Sequence, residues 1–287
     1  MDLIKRQGLW GLVALLSLYM PLGFADNTTN QTSWQQQWFN NPEASNWFVG
    51  IDGGAVWPIL NDKTTISNNT GFPSPNDIDT YTINAPNVTG AGSLYFGYRW
   101  ERPSGSLPWL KSSAWLPYYS VGLRYQHVDG FNVNGDIQEF SLEPSSYSYQ
   151  LKVSGFDVFS AFAKVDIYEW KKFAPYISFG IGTVGNIKVS DYSETPINGT
   201  TQPRNSPAFQ NHSLPYNFMF TVGTGLDYFI TPQLWASLGY EYADYQGDIT
   251  TGNGTSNSII GDWRNESLSL GNLTSNTVLL GLSYRLP

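Results

Sequence analysis

The sequence predicts an all-β fold: an antiparallel, up-and-down transmembrane β-barrel of about eight strands, with long external loops and short periplasmic turns. Three observations predict it. Apolar side chains alternate with small or polar ones in several segments, which is the period of a β-strand. Aromatic residues make up 16% of the chain and charged residues only 13%, fewer charges than soluble domains usually carry. Short and long links alternate between these segments along the chain, which is typical of outer-membrane barrels.

The first residues of the chain have the features of a secretory signal peptide. Lys5 and Arg6 precede an apolar run from Leu9 to Leu18, and the segment closes with the small-residue stretch that ends at Ala25. The residues that follow are rich in Asn and Gln and lack a strand period, so we expect a periplasmic tail there. The predicted organisation is a signal peptide at 1–25, an N-terminal periplasmic tail at 26–45, and an outer-membrane barrel at 46–287.

The hairpin between Leu214 and Asp244 carries the strand pattern twice. In its first half Phe218 and Val222 share one face, whereas Asp227 lies on the other among glycine and threonine residues. The second half repeats the alternation, and Thr231-Pro232 connects the two. In a membrane barrel the apolar face meets lipid and the polar face meets the lumen, the reverse of a soluble sandwich.

The remaining strands follow in chain order. They are predicted at Trp47–Trp57, Ser93–Trp100, Tyr118–His127, a segment that ends at Ile167, Phe173–Val189 and Asn276–Leu286. Residues 137–142 and 147–153 also alternate, which predicts a ribbon that continues beyond the membrane, with a bulge near Gly155. Polar stretches at 58–89, 191–213 and 248–273 are expected to be external loops.

Charged residues on the predicted inner face are balanced, four acids against four bases. They are Asp52, Arg99, Arg124, Lys164, Asp166, Asp227, Glu241 and Arg285. Because isolated charges are costly in a narrow lumen, we expect them to pair into a network that fills the interior. The alternative is a narrow ion path that these pairs gate.

Aromatic residues concentrate at the ends of the predicted strands. The expected anchors are Trp47, Trp57, Trp100, Tyr168, Trp170, Tyr228 and Tyr242. Indole and phenol rings favour the level of the lipid headgroups, so these residues are predicted to form interfacial girdles.

Catalytic and metal-binding patterns are weak in this chain. The two histidines are His127, followed on the same strand face by Asp129 rather than serine, and His212, which has no adjacent acid. Neither matches a hydrolase pattern or a metal-ligand spacing, so we expect no enzyme, no cofactor and no metal site. The formal net charge of −8 does not favour a nucleic acid as a partner.

Several segments resemble the small eight-stranded outer-membrane barrels of the OmpA and opacity-protein type. They are Phe48–Trp57, Ala174–Gly185, Gly223–Asp244 and Ser275–Leu286. The resemblance implies a Gram-negative outer membrane, with lipid, lipopolysaccharide and the outer-membrane insertion machinery as partners. Such barrels usually end in an aromatic residue that the insertion machinery reads, whereas this chain ends Arg285-Leu286-Pro287.

Two functions are consistent with these patterns. The first is a non-enzymatic structural or surface-antigen role, in which the external loops contact a host or another surface ligand. The second is a narrow porin-like channel for small or hydrophobic solutes.

Overall fold

The computed structural model describes residues 46–67, 78–101, 115–185, 187–200, 208–255 and 266–287. The predicted signal peptide and N-terminal tail lie outside the described residues. Within the described part of the chain, no helix is both long enough and apolar enough to cross a membrane.

The described residues form sixteen β-strands and one short 3₁₀ turn at Glu139–Ser141. In chain order the strands are β1 (Trp47–Ile59), β2 (Lys63–Ser67), β3 (Ile78–Thr82), β4 (Thr89–Glu101), β5 (Tyr118–Val128), β6 (Phe131–Gln138), β7 (Tyr147–Val153), β8 (Phe156–Asp166), β9 (Phe173–Gly185), β10 (Lys188–Pro196), β11 (Ala208–Phe209), β12 (His212–Ser213), β13 (Asn217–Phe229), β14 (Leu234–Thr250), β15 (Gly254–Thr255) and β16 (Ser269–Arg285).

Eight of these strands close into an antiparallel barrel. Following the chain, β1, β4, β5, β8, β9, β13, β14 and β16 pair with their successors, and β16 pairs back with β1. Gly53, in the middle of β1, faces Gly92 on β4 and Leu280 on β16, so both edges of the first strand are satisfied. The predicted eight-stranded, up-and-down barrel is confirmed.

The outside of the barrel is apolar. Leu94, Leu123, Ile181 and Leu280 are each at least 60% exposed, although an aliphatic side chain in a soluble sheet would face the core. Their sequence neighbours on the same strands point inward, as the alternation predicted. An apolar exterior on a closed sheet is stable only in a lipid environment, where no sheet edge or bare polar group meets the hydrocarbon.

A second sheet extends from the end of the barrel that carries the long connections. Its six strands lie in the order β12, β10, β7, β6, β3 and β2, and β11 pairs with β15 beside it. The second arm of the predicted ribbon is β7, but the first arm, at 137–142, overlaps β6 only at Ile137 and Gln138, because Glu139–Ser141 form the 3₁₀ turn. β6 and β7 pair from Phe131 and Val153 to Ile137 and Tyr147. We call this six-stranded structure the external sheet, because long connections of such barrels lie outside the cell.

The predicted external loops are therefore wrong in part, since much of each is β-structure. Residues 58–89 contain β2 and β3, and residues 191–213 contain the end of β10 together with β11 and β12. Residues 248–273 contribute the ends of the long strands β14 and β16, which pair as far as Thr250 and Ser269. The predicted fifth strand also stops early, at Gly185, and the chain enters the external sheet at Lys188.

Two of the passages between barrel and external sheet, β5 to β6 and β7 to β8, lie at glycines. Before Gly130 the buried residues are even-numbered, as at Gln126 and Val128, and after it they are odd-numbered, as at Phe131. A Cβ on Gly130 would lie 2.8 Å from the carbonyl oxygen of Val153, and one on Gly155 would lie 3.0 Å from that of Val128. The phase slip near Gly155 thus marks a change of sheet, where the sequence predicted a bulge.

One apolar core joins the outer half of the lumen to the external sheet. Val56, Val158 and Met219 contribute from the barrel, and Tyr81 and Leu151 contribute from the sheet. All five are at most 2% exposed. Because apolar burial favours a fixed, close-packed arrangement, the sheet is a packed extension of the barrel.

Candidate functional site in the lumen and at the outer rim

Four of the predicted inward charges form a cluster in the periplasmic half of the lumen, which we call the lower cluster: Arg99, Lys164, Asp166 and Asp227. Lys164 Nζ donates to both carboxylate oxygens of Asp227, at 2.6 and 2.7 Å. Arg99 donates to Asp166 Oδ2 and, at 3.4 Å, to Asp227 Oδ2. Two cations thus balance two carboxylates, and Asp227 is fully buried.

The sequence did not reveal the neutral partners of the lower cluster. Ser237 Oγ donates to Asp227 Oδ1 at 2.7 Å. The ring of Tyr176 lies 3.8 Å from Lys164 Nζ, close enough for a cation–π contact. Asp166 Oδ1 is buried without a hydrogen-bond partner among the described residues, so Arg99 supplies most of the compensation for that carboxylate.

Aromatic rings surround Arg99. Its guanidinium carbon lies 4.5 Å from the ring centroid of Tyr118, 4.8 Å from that of Trp235 and 5.2 Å from that of Phe229. These rings lie near the periplasmic ends of β5, β13 and β14. Guanidinium and rings together occupy the lumen at its periplasmic end.

A second group, the upper cluster, lies farther into the lumen and consists of Asp52, Ser93, Arg124 and Glu241. Arg124 Nη1 donates to Glu241 Oε2 at 2.9 Å and to Oε1 at 3.1 Å. Its Nη2 donates to Asp52 Oδ1 at 3.2 Å and its Nε to Ser93 Oγ at 3.0 Å. Ser93 also donates to Asp52. The planar guanidinium of Arg124, on β5, therefore joins side chains of β1, β4 and β14.

Apolar side chains fill the lumen above the upper cluster. Met219, Val184 and Val158 are almost fully buried at this level. The ring of Phe156 contacts that of Tyr245 edge to face, with centroids 5.3 Å apart. An eight-stranded barrel encloses little more than the volume of its own side chains. The lower cluster, the upper cluster and the apolar side chains therefore each fill much of the cross-section of the lumen.

Seven of the eight predicted lumen charges thus lie in the two clusters. Arg285 lies at the periplasmic end of β16, where its guanidinium donates to Asn46 Oδ1. The alternation indicated which charges face inward, but the choice of partner depends on the strand register. That register places Glu241 opposite Gly223 and Arg124 opposite Tyr95.

The predicted aromatic anchors lie in two groups. Trp47, Trp100, Tyr168, Trp170 and Tyr228 lie at the end with the short turns, and Trp57 and Tyr242 lie toward the external sheet. Trp47 stacks on Phe96 at 4.8 Å and Trp100 on Tyr119 at 6.0 Å. Trp57 and Tyr242 both pair in register with Asn276, which places them on one rung.

His127 lies on the outer face of β5, one residue from the strand's end, and besides Asp129 it has a partner on β8, Asp157, that the sequence did not reveal. Its Nδ1 is 2.9 Å from Asp157 Oδ1 on β8, and its Nε2 is 3.9 Å from Asp129 Oδ1. The Tyr125 hydroxyl donates to the same Asp157 oxygen at 2.8 Å. The pairing of His127 with Asp157 depends on the β5–β8 register. Across the described ranges, no group of three His, Cys, Asp or Glu residues is arranged to hold a metal ion.

These features define the class of the protein. A closed sheet of eight antiparallel strands has apolar side chains outside and paired charges inside, and this is the fold of the small outer-membrane barrels to which OmpA-type and opacity proteins belong. The protein is therefore a bacterial outer-membrane β-barrel.

Comparisons with known proteins add likenesses of fold. No family model matches the chain, and no curated protein matches it significantly. Among solved structures, Neisserial surface protein A is 13% identical, with 85% of this chain and 99% of that chain covered and a TM-score of 0.39. OprG from Pseudomonas aeruginosa is 12% identical over 85% and 97%, with a TM-score of 0.39. The outer membrane protease OmpT from Escherichia coli is 12% identical over 85% and 98%, with a TM-score of 0.36. Likenesses at this level assign no function.

Proposed function

We propose that this protein is a non-enzymatic surface barrel, which presents the external sheet outside the cell in a structural or surface-antigen role. The observation that carries this proposal is the apolar core that Val56, Val158 and Met219 share with Tyr81 and Leu151. Such a core holds the external sheet in one orientation on the barrel. A fixed, folded surface is better suited to the display of a binding face than to the opening of a transport path.

The two ionic clusters support a closed lumen in this proposal. Removing one partner of a buried ion pair leaves an uncompensated charge, so the pairs resist opening. Arg124 is held by Asp52, Ser93 and Glu241 at once, and a solute would have to break all of these contacts to pass. The narrow porin-like channel is therefore the second candidate.

The aromatic anchors fit the proposed place in the membrane. Trp47 and Trp57 lie ten residues apart on the same strand, β1. At about 3.3 Å per residue and a tilt of about 40°, their heights differ by about 25 Å, which matches the apolar band of an outer-membrane barrel. We infer that the two groups of aromatic residues anchor the barrel at the two headgroup levels.

The outer face of β6 and β7 is the surface that we propose for a host or environmental partner. Asn132, Asn134, Gln150 and Lys152 are exposed there, and their alternate neighbours are buried. A polar face of this kind, backed by a rigid core, is well suited to hydrogen bonding with a soluble macromolecule. Lipid and lipopolysaccharide are expected around the barrel itself.

The native chain has no cysteine, which permits a direct test of display. Single variants Asn134→Cys, on the external sheet, and Lys171→Cys, in the turn after β8, are treated on intact cells with a membrane-impermeant maleimide. We expect labelling of the first alone, and labelling of both after the outer membrane is permeabilised. Labelling of Lys171→Cys on intact cells, with Asn134→Cys protected, would contradict the proposal.

Planar-bilayer recording separates the closed barrel from the channel. We expect the purified barrel to insert without unitary currents above the leak of the lipid alone. Reproducible currents that change in Arg124→Ala and Glu241→Ala, and stay constant in the external control Asp136→Ala, would support the channel.

A further inference from the structure

The dipeptide Asn-Gly occurs three times in the chain, each time outside the eight barrel strands: at Asn134-Gly135, Asn198-Gly199 and Asn253-Gly254. In this dipeptide the glycine amide nitrogen can attack the side-chain carbonyl carbon of asparagine, because glycine has no Cβ that hinders the approach. The new C–N bond closes a succinimide ring, and the side-chain nitrogen leaves as ammonia. Water then opens the ring to aspartate or isoaspartate. The attack requires a glycine N–H that is free and a backbone that can rotate.

The copy on β6 meets neither requirement. Asn134 and Gly135 both lie in the ladder with β7, and the Asn134 carbonyl accepts a hydrogen bond from the Asn84 N–H at 2.9 Å. Gly135 is buried, and a Cβ on it would lie 1.8 Å from the carbonyl oxygen of Thr82. Ring closure at Asn134 would therefore require the external sheet to open.

The copy at β15 is held by its glycine amide. The Gly254 N–H donates to the Glu266 carbonyl at 2.6 Å, and Gly254 pairs with Phe209 on β11. The Asn253 carbonyl accepts from the Gln210 N–H at 3.3 Å. The nitrogen that would attack is already engaged in a hydrogen bond.

The copy after β10 lies in an exposed turn. Asn198 and Gly199 both have positive φ angles, of 52° and 83°, which is the arrangement of a type I′ turn. The Thr200 N–H closes the turn on the Ile197 carbonyl at 3.0 Å. Among the described residues the Gly199 N–H donates to no acceptor, and nothing lies within 4 Å of the place that a Cβ of Gly199 would take. This amide is free to attack as soon as the single turn opens.

We propose that Asn198 is a site of spontaneous deamidation, which changes the tip of the external sheet as the protein ages. Asn198 Nδ2 donates to the Ser145 carbonyl at 2.8 Å, and the neighbouring Ile197 N–H donates to the Ser146 carbonyl at 2.9 Å. These bonds join the turn after β10 to the turn between β6 and β7. A carboxylate in place of the amide has no proton to donate, so it loses the bond to Ser145 and adds a negative charge. The reaction consumes only water and does not depend on the role of the barrel.

The test follows deamidation of the detergent-solubilised full chain at mildly alkaline pH, with tryptic digestion and mass spectrometry. Lysine and arginine positions place the three asparagines in separate peptides, at residues 125–152, 189–204 and 205–264. In the folded chain we expect Asn198 to react roughly tenfold faster than Asn134 or Asn253, because only its turn opens at low cost. In urea, where the same dipeptide is free at all three places, we expect the three rates to converge.

A pair of variants tests the change at the tip. Asn198→Asp carries the product side chain and should reduce protection of the Ile197 amide from hydrogen exchange. The matched control Asn253→Asp should leave that amide unchanged. Asn198→Gln keeps a donor in the turn and should not accumulate the product.

Three results would overturn the proposal. The first is an equal rate at the three asparagines of the folded chain. The second is a reaction that is faster at Asn134 or Asn253 than at Asn198. The third is an Ile197 amide that exchanges equally in Asn198→Asp and Asn253→Asp, which would mean that the product leaves the tip unaltered.

Discussion

The barrel and the external sheet use the same alternation with opposite polarity. On β5, Leu123 is 66% exposed and faces outward, whereas on β7 Leu151 is fully buried and faces the core. The burial of carboxylates is also opposite in the two regions, since Asp227 is buried in the lumen and Asp136 is exposed on β6. The strand period therefore identifies two faces, and the surrounding solvent decides which face is inside.

The reversal takes place within a few residues. Between Val128 and Phe131 the chain leaves the barrel wall, and at Gly155 it returns. Each crossing shifts the buried positions by one residue, which exchanges the two faces of the strand. On β6 and β7 the shift at glycine turns the apolar face to the core and the polar face to water, whereas β14 continues out of the barrel with its buried positions unchanged.

The largest expected effect comes from removing a buried charge of the lower cluster. Asp227→Ala leaves Lys164 and Arg99 without their shared carboxylate and should destabilise the barrel by about 3 to 5 kcal/mol. The matched variant Asp136→Ala removes an exposed carboxylate of the external sheet and should change stability by less than about 0.5 kcal/mol. Urea unfolding in detergent measures both. Equal losses would show that the two regions do not differ in how they hold charge.

A lysine placed on the outer face of the barrel, and one on the outer face of the external sheet, test directly whether the two faces meet different solvents. Leu280→Lys places a charge at the middle of the lipid-facing wall and should cost about 2 to 4 kcal/mol in a bilayer. Asn134→Lys on the outer face of the external sheet should cost less than about 0.5 kcal/mol, since that face meets water. Folding equilibria in lipid vesicles provide the comparison. A tolerated Leu280→Lys would mean that the wall does not face hydrocarbon.

The smallest effect concerns alkaline pH and the external sheet alone. Burial raises the pKa of Tyr149, whose hydroxyl donates to the Thr82 carbonyl at 3.0 Å. The neutral phenol therefore contributes stability below its ordinary pKa of about 10, and this contribution is lost as pH rises through the raised value. The Tyr149 ring is packed against Tyr81 and Tyr192, and Asp136 adds to the shift.

Amide hydrogen exchange at pH 8 and pH 11 measures this loss, after correction for the intrinsic exchange rate. We expect protection of β6 and β7 to fall at pH 11 more than protection of β13, and Tyr149→Phe to reduce the fall. Uniform loss across barrel and external sheet, with no difference for the variant, would contradict the prediction.

The alternation of β1, β5 and β13 was enough to predict the barrel, because the lipid-facing side chains repeat at every second residue over the width of the membrane. It also indicated which charges face the lumen. It did not indicate that Arg124 binds Glu241 or that His127 lies beside Asp157, since partners on different strands depend on register. Nor did it separate the external sheet from loops, because β2 and β3 have only five residues each, and asparagine, serine and threonine surround them.

By itself the sequence determined the period of the strands, the balance of charge and the need for an apolar surrounding, because each of these is a local property of the chain. Only the tertiary structure decided how the charges divide into two clusters and how the long connections assemble into a second sheet. The physical reason is that both depend on contacts between strands far apart in sequence. One-residue shifts at Gly130 and Gly155 set which side chains meet, and composition does not encode such shifts.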